Sequence, residues 1–226
     1  MRHLVLVHPD DAIAAGRHDE YLFGPDLLIA PVVTDGARSR EVYLPAGEWV
    51  DLWRSAAYDS ATGSMVLGAT TTLAGGQTVV LPAPLDELPV LVRAGALLPL
   101  LPAEVDTLAD YGDPAPGVVK LSDREDRLDL LAFPRGTSSA RMLRAEWLRS
   151  SEDDGRWELA LRSKRVREYQ LQASLATLER PFEPCAVEWR GRALPDDAWE
   201  YDPATAVLRV TFRGRRSRLV VRERCG

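Results

Sequence analysis

The residues best suited by type to do chemistry are acidic. They gather at Asp10-Asp11, Glu152-Asp153-Asp154 and Asp196-Asp197, and single carboxylates stand beside apolar runs at Asp26 and Asp51. Carboxyl groups act as acids, bases or nucleophiles when separate elements bring them together on one reacting atom. Neighbours on an extended chain point to opposite faces, so adjacency alone makes no such pair. The three clusters therefore read as solvated turns. Glu152-Asp153-Asp154-Gly155 also lacks the ligand spacing of a dedicated calcium loop. Asp26 and Asp51 read as acceptors for backbone N–H groups beside strand ends. His3, His8 and His18 lack His-x-x-x-His spacing and have no cysteine near them, so no metal site is predicted. Trp49, Trp53 and Tyr58 remain as candidates for stacking on a sugar, set against the commoner role of such rings as core.

The elements that would have to position these groups are mostly strands. The chain has 226 residues, 46% hydrophobic and 27% charged, which is one large or two small globular domains. A net charge of -6 argues against nucleic acid as the main partner. Arg162, Lys164, Arg165 and Arg167, and later Arg213, Arg215, Arg216, Arg218, Arg222 and Arg224, read as solvated strand faces that balance the acidic turns. No apolar run reaches membrane-spanning length, so no membrane partner is expected. The N-terminus lacks the apolar core of a signal peptide, and the cytoplasm is the expected compartment. Cys185 and Cys225 can form one disulfide or remain two thiols.

Residues 4–7 are a short apolar run, and residues 10–20 a loop or one short helix. Gly24-Pro25 punctuates the chain before residues 27–33, which are apolar at successive positions except Pro31. Such a run suits a strand covered on both faces, as in a parallel sheet. Residues 38–44 form a strand candidate. Residues 70–73 and 78–81 flank Gly75-Gly76 and read as a hairpin. Residues 90–93 and 96–98 are brief strands. The acidic, proline-rich stretch 102–116 reads as a domain boundary, with a β-domain on either side. Beyond it, period-two alternation around Trp157, Leu159 and Leu161, around Tyr169, Leu171, Ala173 and Leu175, and around Leu208, Val210 and Phe212 predicts three half-buried antiparallel strands. Residues 139–150 are expected as strand, and Gly155 as the turn of a hairpin.

Three stretches, in order, carry a family resemblance. Residues 21–32 (Tyr-Leu-Phe-Gly-Pro-Asp-Leu-Leu-Ile-Ala-Pro-Val) resemble the last barrel strand of glycoside hydrolase family 31, the α-glucosidase and α-xylosidase family. Residues 42–53 (Val-Tyr-Leu-Pro-Ala-Gly-Glu-Trp-Val-Asp-Leu-Trp) resemble the segment after that barrel, and residues 82–99 the segment closing the next β-domain. The remainder resembles the family's distal domain loosely. The resemblance implies a mainly β fold, with two C-terminal β-sandwich-like domains after a remnant of the last strand unit of a (β/α)8 barrel. The corresponding bounds are 1–33 for the remnant, 34–101 for the proximal domain, 102–116 for a linker and 117–226 for the distal domain. It implies retaining hydrolysis of terminal α-glycosidic bonds by the parent enzyme, with no metal or organic cofactor, and the parent's catalytic barrel as partner, with carbohydrate as a further ligand.

A retaining glycosidase needs two carboxyls about 5–5.5 Å apart. The family's Trp-x-Asp-Met-Asn-Glu-like nucleophile segment, its Gly-Asp-Asn-like acid segment and its Arg-Ser-His-like sugar-site segment do not occur here. Gly112-Asp113-Pro114 is the nearest superficial match to the acid segment and lacks the Asn. No catalytic residue is therefore carried over, and the chain is expected to be a non-catalytic scaffold. The rival expectations are a stand-alone carbohydrate-binding module and an interaction module that assembles with a separate barrel. With at most residues 4–7 as a barrel neighbour, residues 27–33 are expected to be the least well-buried apolar strand.

Overall fold

The computed structural model describes residues 1–109, 116–142 and 145–225. In chain order its strands are β1 (Tyr21–Phe23), β2 (Leu27–Ile29), β3 (Ser39–Leu44), β4 (Glu48–Asp51), β5 (Ala56–Asp59), β6 (Ser64–Leu67), β7 (Thr72–Ala74), β8 (Gln77–Pro82), β9 (Val90–Arg93), β10 (Leu97–Leu100), β11 (Arg127–Ala132), β12 (Thr137–Arg141), β13 (Trp147–Asp153), β14 (Arg156–Ser174), β15 (Ala186–Trp189), β16 (Arg192–Ala193), β17 (Trp199–Asp202) and β18 (Val207–Arg222). Helix is confined to α1 (Ala12–Gly16), α2 (Leu52–Ser55) and four 3₁₀ turns among the described residues, so the chain is mainly β, as expected. It divides into two compact units, Met1–Ala56 with Thr70–Ala94, and Ala57–Ala69 with Gly95–Gly226.

The first unit is built on a five-stranded sheet in the order β1-β2-β9-β4-β7 and a two-stranded sheet, β3-β8. Leu22, Leu28, Trp49 and Leu91 from the larger sheet share one core with Val42, Leu44 and Leu81 from the smaller, and Leu4 and Ala14 close it. Burying each such side chain stabilises the unit by roughly 1.5–3 kcal/mol. Three sequence expectations are corrected here. Residues 4–6 form a 3₁₀ turn, in which His3 Nδ1 accepts the Val5 N–H at 3.2 Å. Leu27–Ile29 is not left open: it pairs antiparallel with β1 on one side and β9 on the other, and Leu28 is 0% exposed. Antiparallel partners close both edges of the strand, and Leu28 and Ala30 pack into the first core, without a parallel barrel. Gly75-Gly76 does not join a hairpin, because β7 pairs with β4 while β8 pairs with β3. The two glycines instead carry the chain from one sheet to the other, their N–H groups donating to Gly47 O and Leu44 O, each at 2.7 Å. A Cβ on Gly75 would lie 2.1 Å from Pro45 O, so only glycine fits this crossing.

The second unit centres on the two longest strands, β14 and β18, which pair antiparallel along nearly their whole length. Sequence alternation around residues 157–161 and 169–173 predicted two strands. They are one, bent by a register shift between Arg162 and Arg167. The half before the bend pairs with β13, and the half after it with β11 in parallel. Trp157, Leu159 and Leu161 from one half and Tyr169, Leu171 and Ala173 from the other then enter one core with Leu208, Val210 and Phe212 of β18. The alternation was correctly read; the strand ends at Ser174, and Leu175 begins a 3₁₀ turn. Residues 139–150, expected as strand, are divided between β12 and β13, which pair with each other, and Gly155 (φ +64) turns the β13–β14 hairpin as expected.

The bend is held by a buried ionic network. Glu146 accepts Ser163 Oγ at 3.1 Å, Lys164 N at 2.7 Å and Arg167 Nη1 at 2.5 Å. Burial works against the charged Glu146 carboxyl, but these donors hold it below its ordinary range. β10 pairs with β11, so the sheet of this unit continues across the acidic 102–116 stretch instead of stopping at it. Cys185 and Cys225 are joined by a disulfide with a Cα–Cα distance of 5.8 Å, which ties the chain end to the start of β15.

Candidate functional site

Within each unit, the described residues singled out in the sequence fill separate local roles. Asp11 caps α1, accepting the Ile13 and Ala14 N–H groups at 3.0 Å each, and takes the Tyr43 hydroxyl at 2.6 Å. That phenol bond, first among the causes, lowers the Asp11 pKa and helps push Tyr43 up to about 12. Asp51 caps α2 through the Arg54 N–H at 3.3 Å. Asp26 is 7% exposed and faces Arg93 Nη2 at 3.4 Å; burial raises its pKa and Arg93 opposes the rise. Glu152 binds the N–H groups of Gly136, Glu179 and Arg180. Asp153 accepts the Asp154 N–H at 2.9 Å, and Asp196-Asp197 opens a 3₁₀ turn. His3 and His18 meet at 3.4 Å on the surface. Among the described residues, no three His, Cys, Asp or Glu side chains gather where a metal ion could be held. Gly112-Asp113-Pro114 lies outside the described residues.

The three candidate stacking residues differ in exposure. Trp49 is 1% exposed, with its indole N–H donating to Pro45 O at 2.8 Å inside the first core. Trp53 is half-buried, and its N–H is committed to Leu88 O at 2.6 Å. Tyr58 is exposed, but it belongs to the second unit.

What the first unit does present is a groove of about 720 Å³ between residues 31–38 and 83–89, in which exposed valines and leucines alternate with Asp35, Arg38, Asp86 and Glu87. Val33 is 70% exposed and Leu85 85%, and Val32 and Leu88 also stand in solvent. Arg40 fixes the base of the first wall. Its guanidinium donates to Pro31 O and to Asp19 O, and it pairs with the Asp19 carboxylate at 2.9 Å. Beneath it lies Glu20, whose side chain is fully buried and accepts the Tyr43 N–H at 3.1 Å. Burial dominates there and pushes the Glu20 carboxyl up to about 7, against that N–H, Arg17 and Arg40. Sequence reading missed this groove. The available signal was the apolar pair Val32-Val33 continuing past Pro31, where a strand should have ended.

The arrangement offers a groove of mixed polarity whose first wall is fixed by Arg40. Of fifteen large hydrophobic residues exposed among the described residues, seven lie within the first 33 positions: Met1, Leu6, Val7, Ile13, Phe23, Val32 and Val33. Of these, Val32 and Val33 line the groove together with Leu85 and Leu88, and a group of exposed apolar side chains in one groove marks a surface suited to a partner.

Residues 1–98 match the model of the glycosyl hydrolase family 31 C-terminal domain. Over 100 residues, 44% of this chain, the sequence is 37% identical to an isomaltosyltransferase of Sporosarcina globispora, covering 8% of that protein. Over 114 residues, 50% of this chain, it is 37% identical to an α-xylosidase of Saccharolobus solfataricus, covering 14% of that enzyme. The cycloalternan-forming enzyme from Listeria monocytogenes, solved in complex with a pentasaccharide substrate, superposes on 99% of this chain and 20% of its own with a TM-score of 0.72 at 24% identity. A family 31 dextranase from Flavobacterium johnsoniae superposes on 98% of this chain and 29% of its own, with a TM-score of 0.69 at 21% identity. At those identities the likeness shows the fold. The chain thus spans less than a sixth of the length of these two curated relatives, at a C-terminal domain.

Proposed function

We propose that this chain, which carries the family 31 C-terminal domain in residues 1–98, is the non-catalytic C-terminal scaffold region of a family 31-like retaining α-glycosidase. Its groove at Val32, Val33, Leu85 and Leu88 packs against the enzyme's (β/α)8 barrel. The parent reaction is hydrolysis of a terminal α-glycosidic bond. The barrel supplies both carboxyls for that reaction, because this chain lacks the family's nucleophile and acid segments. The observation that carries the reading is the crowding of exposed apolar side chains into the first 33 residues. Covering one such side chain recovers roughly 1.5–3 kcal/mol, so a handful suffices to hold a barrel in place. The stacking residues proposed for a stand-alone sugar-binding module give that rival little support, since Trp49 is in the core.

The test is co-expression of the chain with the separately encoded barrel of a family 31 α-xylosidase, cut before the segment matching Tyr21. Co-purification that is abolished by Val33→Asp with Leu85→Asp supports the reading. Failure to associate, or association indifferent to both substitutions, overturns it.

A further inference from the structure

We propose that the second unit carries a surface site for a neutral oligosaccharide, in a groove of about 400 Å³ between the β5–β6 ribbon, the outer face of β14 and β18, and β17. The floor is the cross-strand pair Gln170 and Thr211, opposed directly in register on the face that points away from the core. Glu200 of β17 sits opposite Arg209 of β18, and Asp197 stands at the end of the groove.

One wall is fastened by side chains. Gln172 Oε1 accepts the Leu67 N–H at 2.9 Å, its Nε2 donates to Met65 O at 2.8 Å, and Arg209 Nη2 donates to Leu67 O at 3.0 Å. Gln172 thus spends both ends of its amide in holding the ribbon, as a strand neighbour would. Its near neighbours are not spent in this way. The side chains of Gln170, Thr211, Glu200 and Asp197 make no hydrogen bond or ion pair among the described residues. The groove therefore combines a fixed frame with four unengaged polar groups.

The chemistry of those groups selects the ligand class. An amide offers a donor and an acceptor, a hydroxyl offers both, and a carboxylate accepts from two adjacent hydroxyls. Neighbouring hydroxyls of a pyranose present the complementary set. Two carboxylates against one guanidinium, itself partly committed to Leu67 O, disfavour phosphate, sulfate and other anions. The groove is open to water, so hydrogen bonds made there replace bonds to solvent and each adds only modestly to affinity. A dissociation constant in the millimolar range, about 1 mM, follows from three or four such bonds with modest apolar contact. This goes beyond the docking role of the first unit and does not depend on it.

The test uses the full ¹⁵N-labelled chain, titrated with maltotriose, with isomaltotriose and, as an anion comparator, with inorganic phosphate. The Gln170 side-chain amide and the Thr211 and Glu200 backbone amides should shift with either saccharide and not with phosphate. Gln170→Ala combined with Thr211→Val should weaken the saccharide about tenfold or more, while thermal unfolding and the remaining spectrum stay unchanged, since both side chains face outward. Glu200→Gln serves as a second variant that keeps the shape and should also weaken binding. No shift at these residues up to roughly 50 mM saccharide, equal shifts with phosphate, or binding indifferent to all variants overturns the proposal. Each of those results leaves the barrel-docking reading standing, and loss of barrel docking leaves this one standing.

Discussion

Replacing Glu20 with Gln should change how the stability of the first unit depends on pH. The Glu20 side chain is fully buried between Arg40, at 3.7 Å, and Arg17, at 3.9 Å, and one of its oxygens has no hydrogen-bond partner. Burial pushes its carboxyl from 4.5 up to about 7. A difference of that size between folded and unfolded chains corresponds to roughly 3 kcal/mol. Because the folded value is the higher one, the contribution is fully present below pH 4.5 and is lost as pH rises through about 7. The first unit of the parent chain should therefore lose roughly 3 kcal/mol between pH 5 and pH 8. Gln cannot ionise, and its oxygen can still accept the Tyr43 N–H. Glu20→Gln should remove most of the slope and be the more stable form at pH 8. Asp26, also raised by burial, leaves a small residual slope at more acidic pH. The assay is urea unfolding at pH 5, 6, 7 and 8, read at the indole N–H resonance of Trp49, which reports the first core through its bond to Pro45 O. A parent chain with flat stability across this range, or a variant with the same slope as the parent, refutes the reasoning.

Reducing the Cys185–Cys225 bond frees a loop of 40 residues and should cost about 4 kcal/mol. Calorimetry with and without a phosphine reductant should show the second unit's transition fall by roughly 10 °C, whereas an unchanged transition would show that the bond adds nothing. Gly75→Ala forces a Cβ to 2.1 Å from Pro45 O and should destabilise the first unit by more than about 2 kcal/mol in denaturant titration. Gly76→Ala, where the Cβ meets open space and only φ +75 is strained, should cost about 1 kcal/mol; equal losses would contradict the close-approach argument. Arg167→Ala strands the buried Glu146 carboxylate and should cost roughly 3–5 kcal/mol, with much of the loss recovered when Glu146→Gln is added. Additive losses in that double variant would count against the network as the clamp of the β14 bend.

The strands most legible in the sequence were those with one face in the core. Trp157, Leu159 and Leu161, and Leu208, Val210 and Phe212, alternate because a pleated strand sends successive side chains to opposite faces, and all six are buried. The continuity of β14 was hidden. Its middle, Arg-Ser-Lys-Arg-Val-Arg, breaks the apolar alternation and was read as a solvated strand face, but Arg167 is buried against Glu146, a partner distant in sequence. The Gly75-Gly76 turn was legible as a turn, but which strands it joins depends on partners at residues 39–51 that no local pattern encodes. Asp51 was legible as a cap, because capping is local chemistry, whereas Asp11, read as part of a solvated turn, also caps a helix, and Asp26, read as a backbone acceptor, faces Arg93 instead. The groove at Val33 and Leu85 was legible only in part: Val32-Val33 running on past Pro31 was a signal, but Leu85 was not, since an apolar residue looks the same in sequence whether it is buried or exposed. For the same reason, sequence could not separate Trp49 in the core from Tyr58 in solvent.

The account rests on this chain contributing scaffold and no catalytic carboxyl. The most direct measurement is turnover of aryl α-glucoside and aryl α-xyloside by the purified chain, beside a heat-inactivated control. The two should be indistinguishable. Turnover clearly above the control, abolished by substituting a carboxylate of this chain such as Glu20, Asp26 or Glu200, would contradict the account.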